Sequence, residues 1–231
     1  MSQTASSIRF RAEDRGVLEV IAELGELEGC RLHALGQRLI VDRYFDTVDW
    51  ALMAQRCSYR ERQFERRRWV AFRGPAHAVT APAPAPGLEA ELPDGITLED
   101  AGLLLPPVLR AWVAAGYRPL AEILLVENNR TLIELVEEGE PRFLLCLDDV
   151  EFFANGSPRR CCEVKLDARR DPNGRIHWII YTLQAEFRLA PTKANKLQQG
   201  LALTGAEPRL AVVGGYCRPF PPPSDQSLLH A

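Results

Sequence analysis

Short runs in which apolar and charged residues alternate constrain this chain more than any other feature. Examples are "IRFRA" at 8–12, "LEAEL" at 88–92 and "CCEVKL" at 161–166. Successive residues of a β-strand point to opposite faces, so each run predicts a strand with one apolar and one charged face. The charged faces carry both signs, and charges inside a protein are costly unless they are paired or hold a ligand.

The stretch "YRERQFERRRWVAFRG" at 59–74 concentrates six arginines and reads as a hairpin. Arg60 and Arg62 share one face of the first predicted strand, and the second strand brings Arg73 to the same side. Arg66–Arg68 fall at the turn, where we expect them to face solvent. On composition alone, these arginines fit a solvated sheet face, a nucleic-acid patch or a pocket for a compact polyanion.

The composition excludes several classes of function. The chain has 231 residues and a formal net charge of -3, so any anion site must be local. No run of roughly 18 uncharged apolar residues is present, so no membrane span is expected, and the first residues lack an apolar signal core. The six cysteines form no CxxC pair, which predicts reduced thiols in a cytoplasmic protein rather than a zinc site.

Helical patterns fall between the predicted strands. Val17, Val20, Ile21 and Leu24 follow helical spacing, and Gly29 suits the end of that helix. Antiparallel strands with helices between them favour an α+β fold with one antiparallel sheet or barrel. Further strands are predicted at 38–47, 122–130, 130–138, 142–153 and 159–167. Further helices are predicted at 97–117 and 177–189, with a short helical turn at 48–56 and a short helix or turn at 192–205.

One domain is expected to cover residues 1–218. Within it, the Ala/Pro-rich stretch at 75–87 predicts an extended loop without a core of its own. The Pro-rich tail at 219–231 is expected to be flexible.

The order of these segments resembles the CYTH superfamily, the triphosphate tunnel metalloenzymes, over about residues 5–203. "DRYFDTVDWALMAQRCSYRERQ" at 42–63 is similar to the family's YFDT-to-RxR segment. "WVAFRGP" resembles the following W-x-x-x-K-G-P strand, with Arg73 in place of the lysine, and "LEAEL" resembles the E-x-E strand after it. "CEVKL" resembles the late glutamate strand, and "TKANKLQQGL" resembles the closing S-K-x-x-x-G element.

The resemblance implies an antiparallel eight-stranded β-barrel, the triphosphate tunnel, with helices packed outside. It also implies hydrolysis of a triphosphate or an organic polyphosphate with Mg²⁺ or Mn²⁺, the phosphates being held by charge-assisted bonds. The implied phosphate ligands are Arg9, Arg60, Arg62, Arg73, Arg130, Lys165 and Lys196. The implied catalytic and metal-binding acids are Glu89, Glu91 and Glu163, and Asp148 is a further implied metal ligand.

Two motifs depart from the family pattern. The opening E-x-E-x-K motif reads "ASSIR" here, with Ala5 and Ser7 at the glutamates and Arg9 at the lysine. The late strand keeps Glu163 alone, and "EVKL" also resembles the polyphosphate-polymerase branch of the same fold. These changes reduce the number of carboxylates at the implied metal site and make the implied tunnel more basic. Both effects favour anion binding over metal-assisted turnover.

Three functions stay open on these residues. The first is a metal-dependent triphosphatase, and the second is a weak or inactive module that binds polyphosphate or nucleotide as a sensor or regulator. The third is a nucleic-acid binder that uses Arg66–Arg68, which the lack of interleaved aromatic residues disfavours. For Glu89 and Glu91, pairing with the arginines is an alternative to metal binding.

Overall fold

The described residues of the computed structural model are 7–54, 56–74, 87–92, 120–154, 156, 158–171 and 173–206. They form ten strands and four helices. The strands are β1 (Ser7–Ala12), β2 (Glu26–Leu27), β3 (Cys30–Thr47), β4 (Ser58–Phe64), β5 (Arg67–Arg73), β6 (Gly87–Leu92), β7 (Leu120–Glu137), β8 (Glu140–Phe153), β9 (Arg159–Ala168) and β10 (Ala190–Pro191). The helices are α1 (Arg15–Ala22), α2 (Ala51–Ala54), α3 (Ile176–Ala185) and α4 (Lys196–Thr204).

The strands pair in the order β10-β1-β9-β8-β7-β3-β4-β5-β6, and β2 pairs with β3 beside this path. The registers of β1, β4, β5, β6, β8 and β9 are antiparallel. The predicted α+β class with a largely antiparallel sheet is therefore confirmed. Among the described residues this order has β10 and β6 at its ends, so closure of the sheet into a barrel stays a prediction.

The chain divides into two compact units. The described residues up to Val41 and from Val126 to Thr204 belong to the first unit, and those from Asp42 to Leu125 belong to the second. The two longest strands, β3 and β7, supply residues to both. Each unit has its own apolar core.

The core of the first unit is built from alternate residues of its strands. In β9, for example, Val164 and Leu166 are fully buried, and Val164 pairs with Phe10 of β1 and Leu147 of β8. Helices α1 and α3 add Leu18, Ile21, Ile176, Ile179 and Leu183 to this core. Since β-strand neighbours alternate, the residues between these apolar positions face the other side of the sheet.

The core of the second unit covers one face of the β4–β5–β6 hairpins. Its members are Phe45, Leu52, Cys57, Tyr59, Val70, Phe72 and Leu92. The predicted hairpin over 57–73 is confirmed, with its turn at Glu65, which has a φ of 54°. The segment that enters α2 is fixed by Asp46, whose carboxylate accepts the amides of Thr47 at 2.6 Å and of Leu52 at 2.9 Å.

Helix α1 ends earlier than its sequence pattern suggests. Asp14 caps its first turn by accepting the amide of Val17 at 3.1 Å, and the helix closes at Ala22. Val20, expected on the apolar face, is 54% exposed, whereas Leu18 takes the buried position. Gly29 does not end this helix: it has a φ of 75° in the turn between β2 and β3.

Two strands are longer than their patterns predicted. The strand expected at 38–47 begins at Cys30, and the two strands expected at 122–130 and 130–138 are one, β7. The break falls instead at Glu138 and Gly139, whose φ angles of 53° and 83° suit a two-residue hairpin turn.

Several expectations concern residues outside the described ranges. The Ala/Pro-rich loop at 75–87 lies there, except for Gly87, as do the helix predicted at 97–117 and the tail at 219–231. The helices predicted at 48–56, 177–189 and 192–205 appear in shorter form as α2, α3 and α4. None of the helices in the described ranges has the length and apolar character that crossing a membrane requires.

Candidate functional site

The charged face of the first unit is assembled by strand register. Glu163 of β9 lies directly opposite Arg11 of β1 and Asp148 of β8. Two residues farther along β9, Lys165 lies opposite Arg9 of β1. Because directly opposed residues of antiparallel strands project to the same side, these five charged residues share the face that points away from the apolar core.

Asp148 is the most tightly held group on this face. It is 2% exposed, and its two carboxylate oxygens accept Arg130 Nε at 2.7 Å and Arg130 Nη2 at 2.8 Å. Lys196 Nζ donates to the same carboxylate at 3.2 Å. Burial acts to raise the pKa of Asp148, but the hydrogen bonds from Arg130 and the charge of Lys196 outweigh it and hold the pKa at about 2.

Glu163 is equally buried and is held by helix α4. It is 2% exposed, and it accepts Lys196 Nζ at 3.2 Å and Gln199 Nε2 at 2.5 Å. Lys196 and Gln199 lie three residues apart, so the first turn of α4 presents both side chains to the sheet. The Lys196 ammonium thus bridges Glu163 and Asp148. We call Arg130, Asp148, Glu163, Lys196 and Gln199 the bridged cluster.

The other predicted phosphate ligands of the first unit lie near the bridged cluster in the register. Lys165 Nζ donates to Asp167 Oδ2 at 2.7 Å and so forms an ion pair with an acid of its own strand. Arg9 makes one long hydrogen bond of 3.5 Å to the carbonyl oxygen of Lys193. These two side chains are held less firmly than Arg130, since neither makes a bidentate contact with a buried acid.

The charged face of the second unit is organised around another buried aspartate. Asp42 of β3 is 1% exposed and accepts Arg62 Nε at 2.7 Å and Arg62 Nη2 at 2.8 Å. Arg60 Nη1 lies 3.7 Å from the same carboxylate, and the Arg60 side chain is only 11% exposed. Arg60 and Arg62 therefore share a face, as predicted, and both contact Asp42.

The remaining predicted residues of the second unit are more open. The Glu89 and Glu91 side chains are each 53% exposed and lie 4.0 Å from Arg60 Nη2 and 3.8 Å from Arg67 Nε, respectively. Arg73 is exposed at the end of β5, on the same face as Arg60 by the register of β4 and β5. The expectation of solvent exposure is wrong for Arg68, whose side chain is 30% exposed and donates to the buried Glu61 at 2.7 Å.

Three residues of these clusters were not among the sequence predictions: Asp42, Asn128 and Gln199. Asp42 opens the stretch "DRYFDT", and its alternation with the buried Tyr44 is the signal that could have placed it inside. Asn128 is 2% exposed and hydrogen-bonds the Asp148 carboxylate. Gln199 lies one helical turn after Lys196, but no local pattern marks Glu163 as its partner.

The described acids do not fit a protein-held divalent ion. Asp148 and Glu163 already share the Lys196 ammonium, which lies where an ion bridging the two carboxylates would bind. Both oxygens of Asp148 are also engaged by Arg130. Within the described ranges, no group of three His, Cys, Asp or Glu side chains is arranged to share a metal ion. The Mg²⁺ or Mn²⁺ site implied by the resemblance therefore lacks a matching donor set in this part of the chain.

Comparison with solved structures gives the fold, although no family model and no curated protein matches the chain in sequence. HpAC1 from Hippeastrum, which has a dominant triphosphatase activity, aligns with a TM-score of 0.58 and 16% identity over 86% of this chain and 96% of its own. The chain has the CYTH fold.

Two further CYTH-fold structures align over most of their length. The protein bh2851 from Bacillus halodurans gives a TM-score of 0.51 and 18% identity over 84% of this chain and 95% of its own. PH1819 from Pyrococcus horikoshii OT3 gives 0.51 and 13% identity over 87% and 98%. At these identities the likeness establishes the fold and does not by itself establish the chemistry.

Proposed function

We propose that this protein binds a triphosphate or an organic polyphosphate on the charged face of its first unit. The observation that carries the proposal is the bridged cluster, in which Arg130 and Lys196 are fixed beside Arg9, Arg11 and Lys165. A triphosphate carries about four negative charges, and arginine and lysine bind such oxygens through charge-assisted hydrogen bonds. The CYTH fold supports the same class of ligand, since HpAC1 has triphosphatase activity.

The contacts of Arg130 suit it for this task. Its Nε and Nη2 atoms donate to Asp148, and this bidentate contact fixes the plane of the guanidinium. Its other N–H groups donate to no acceptor within the described residues. A phosphate oxygen can therefore bind Arg130 without breaking the pair with Asp148, and the cost of ordering this side chain is already met.

Hydrolysis of the bound triphosphate is the second candidate, and the activity of HpAC1 is the observation that favours it. Mg²⁺ or Mn²⁺ would then enter as part of the substrate, bound to the phosphate oxygens. Arg130 and Lys196 would hold the phosphates while negative charge develops on the phosphate oxygens. The carboxylates of Glu163 and Asp148 each lie 3.2 Å from Lys196 Nζ. The closed barrel belongs to this proposal as an expectation of the CYTH fold.

Calorimetry and a phosphate-release assay together test the two candidates. Tripolyphosphate, thiamine triphosphate and ATP are titrated into the protein, and phosphate release is followed with Mg²⁺ and with Mn²⁺. Binding with release supports the triphosphatase, and binding without release supports the binding module. A wild-type protein that binds none of the three ligands refutes both.

The position of the site is tested by removing two cations that neutralise no fully buried acid. In the Arg9→Gln/Lys165→Gln double variant, we expect affinity to fall at least about tenfold, since a hydrogen bond to a charged group contributes about 1.5–3 kcal/mol. Arg15→Gln is the matched control, because Arg15 begins α1 and its side chain is 61% exposed in a pair with Glu19. An equal loss in both variants would show a diffuse charge effect instead of a site.

A further inference from the structure

We infer that the bridged cluster binds its phosphate ligand without a divalent ion held by the protein, because Lys196 supplies the neutralising charge itself. The inference rests on the proposed function and concerns how the same site works. Mg²⁺ and Mn²⁺ normally link phosphate oxygens to protein carboxylates. On the charged face of the first unit, the two buried carboxylates, Asp148 and Glu163, are bridged by an ammonium group of the same polypeptide.

The geometry opposes exchange of this ammonium for a metal ion. Lys196 Nζ lies 3.2 Å from both Asp148 Oδ2 and Glu163 Oε2, and its side chain is 13% exposed. Asp148 also accepts a hydrogen bond from Arg130, and Glu163 also accepts one from Gln199. A divalent ion would have to displace Lys196 and reorganise both carboxylates, leaving a buried ammonium without its partners.

The charged face of the first unit carries an excess of positive charge, so it can attract an anion that has no metal ion bound to it. Among the described residues, the cations of this face are Arg9, Arg11, Arg130, Lys165 and Lys196, and the acids that they meet are Asp148, Glu163 and Asp167. Farther along, Arg169 pairs with Glu134, which leaves the balance unchanged. Cations therefore outnumber acids before any metal is added, so a bare polyphosphate gains net attraction from the face.

The opening strand accounts for part of this excess. In β1 the charged face carries Ser7, Arg9 and Arg11, and Ser7 lies opposite Asp167 of β9. A serine hydroxyl adds no negative charge, whereas the two arginines add positive charge beside Lys165 and Glu163. The strand thus supplies one neutral hydroxyl and two cations to this face, and none of these three residues is a carboxylate.

The first test measures tripolyphosphate binding by wild-type protein in EDTA and in excess Mg²⁺. We expect the affinity in EDTA to be at least equal to that in Mg²⁺, because Mg²⁺ bound to the free ligand lowers the charge that the arginines attract. Affinity at least about tenfold tighter in Mg²⁺ would overturn the inference and leave the proposed function standing. Binding in neither condition would refute the proposed function itself.

The second test removes the bridging ammonium and uses Mn²⁺ alone as the probe. Lys196→Gln frees Asp148 and Glu163 from their shared cation, so we expect this variant to bind Mn²⁺ at least about tenfold more tightly than wild type. Lys193→Gln, which changes an exposed lysine three residues earlier, is the control and should leave Mn²⁺ affinity unchanged. A folded Lys196→Gln protein without this gain overturns the role given to Lys196. If the variant does not fold, the EDTA comparison on wild type decides.

Discussion

Two neighbouring aspartates of β8 allow the effect of burial on an ion pair to be measured directly. Asp148 accepts Arg130 through Nε and Nη2 at 2.7 and 2.8 Å, and Asp149 accepts Arg160 through the same atoms at 2.6 and 2.5 Å. The hydrogen-bonding pattern is the same, but the Arg130 side chain is 21% exposed whereas that of Arg160 is 47% exposed. Replacing each arginine by methionine therefore compares a pair whose arginine is largely buried with one whose arginine is about half exposed.

The expected losses differ by about 2 kcal/mol. Lowering the pKa of Asp148 from 3.8 to about 2 corresponds to about 2 kcal/mol of preference for its ionised form. Removing one partner of a buried pair costs about 3–5 kcal/mol, because the other charge stays buried without compensation. Lys196 keeps part of that compensation, so we expect Arg130→Met to lower the free energy of unfolding by about 3 kcal/mol. Arg160→Met should cost no more than about 1 kcal/mol.

Urea denaturation at pH 7 gives both values, and its pH dependence checks the cause. The pKa of Asp148 is lower in the folded protein than in the unfolded chain, so its stabilising effect is complete above about pH 4 and disappears as pH falls toward about 2. In Arg130→Met the pKa of Asp148 should rise toward its value in the unfolded chain, so the stability lost between about pH 4 and about pH 2 should become smaller. Equal losses for Arg130→Met and Arg160→Met, or an unchanged acid profile, would refute the reasoning.

Three further predictions concern other parts of the chain. Arg62→Met should lower the free energy of unfolding by about 3 kcal/mol in urea titrations, because among the described residues it leaves the buried Asp42 with Arg60 at 3.7 Å as its remaining close cation; a loss under about 1 kcal/mol would contradict this. Gly29→Ala should cost about 1–3 kcal/mol by the same measurement, since its φ is 75° and a Cβ would lie 2.6 Å from Arg175 Nη1, whereas a neutral result would show that the turn adapts. Burial raises the pKa of the Cys161 thiol to about 12, so peptide mapping should find it unmodified by iodoacetamide at pH 8 until the protein is denatured; rapid labelling of the native protein would show that this strand opens.

Strand alternation predicted which way side chains point, and the structure follows it closely. In β9, Glu163 and Lys165 face the charged side while Cys162 and Val164 enter the apolar core. The reason is local: the two-residue period of a strand and the burial of one face decide the orientation of every side chain together. Such a pattern needs no knowledge of what lies on the other strands.

Partners could not be predicted in the same way. Asp42 and Arg62 are twenty residues apart in sequence, and Glu163 and Gln199 are thirty-six apart. Nothing in either local pattern specifies that these side chains meet, because register and helix docking decide it. The continuity of β7 could not be predicted for a similar reason, because it depends on partners such as Asp148, against which Asn128 is buried.

These partners change what the arginines of both units mean. An arginine inferred from alternation alone is a mobile cation that a phosphate must order on binding, at about 2 kcal/mol of rotamer entropy for such a side chain. In the structure Arg62 and Arg130 are each fixed by a bidentate contact with a buried aspartate. The aspartates therefore orient the cations, and a ligand need not displace them in order to bind.

It follows that replacing Asp148 by asparagine should weaken ligand binding even though it removes a negative charge from a face proposed to bind anions. A charge-only description predicts tighter binding, and titration of tripolyphosphate into Asp148→Asn, with Asp149→Asn as the control on the same strand, separates the two.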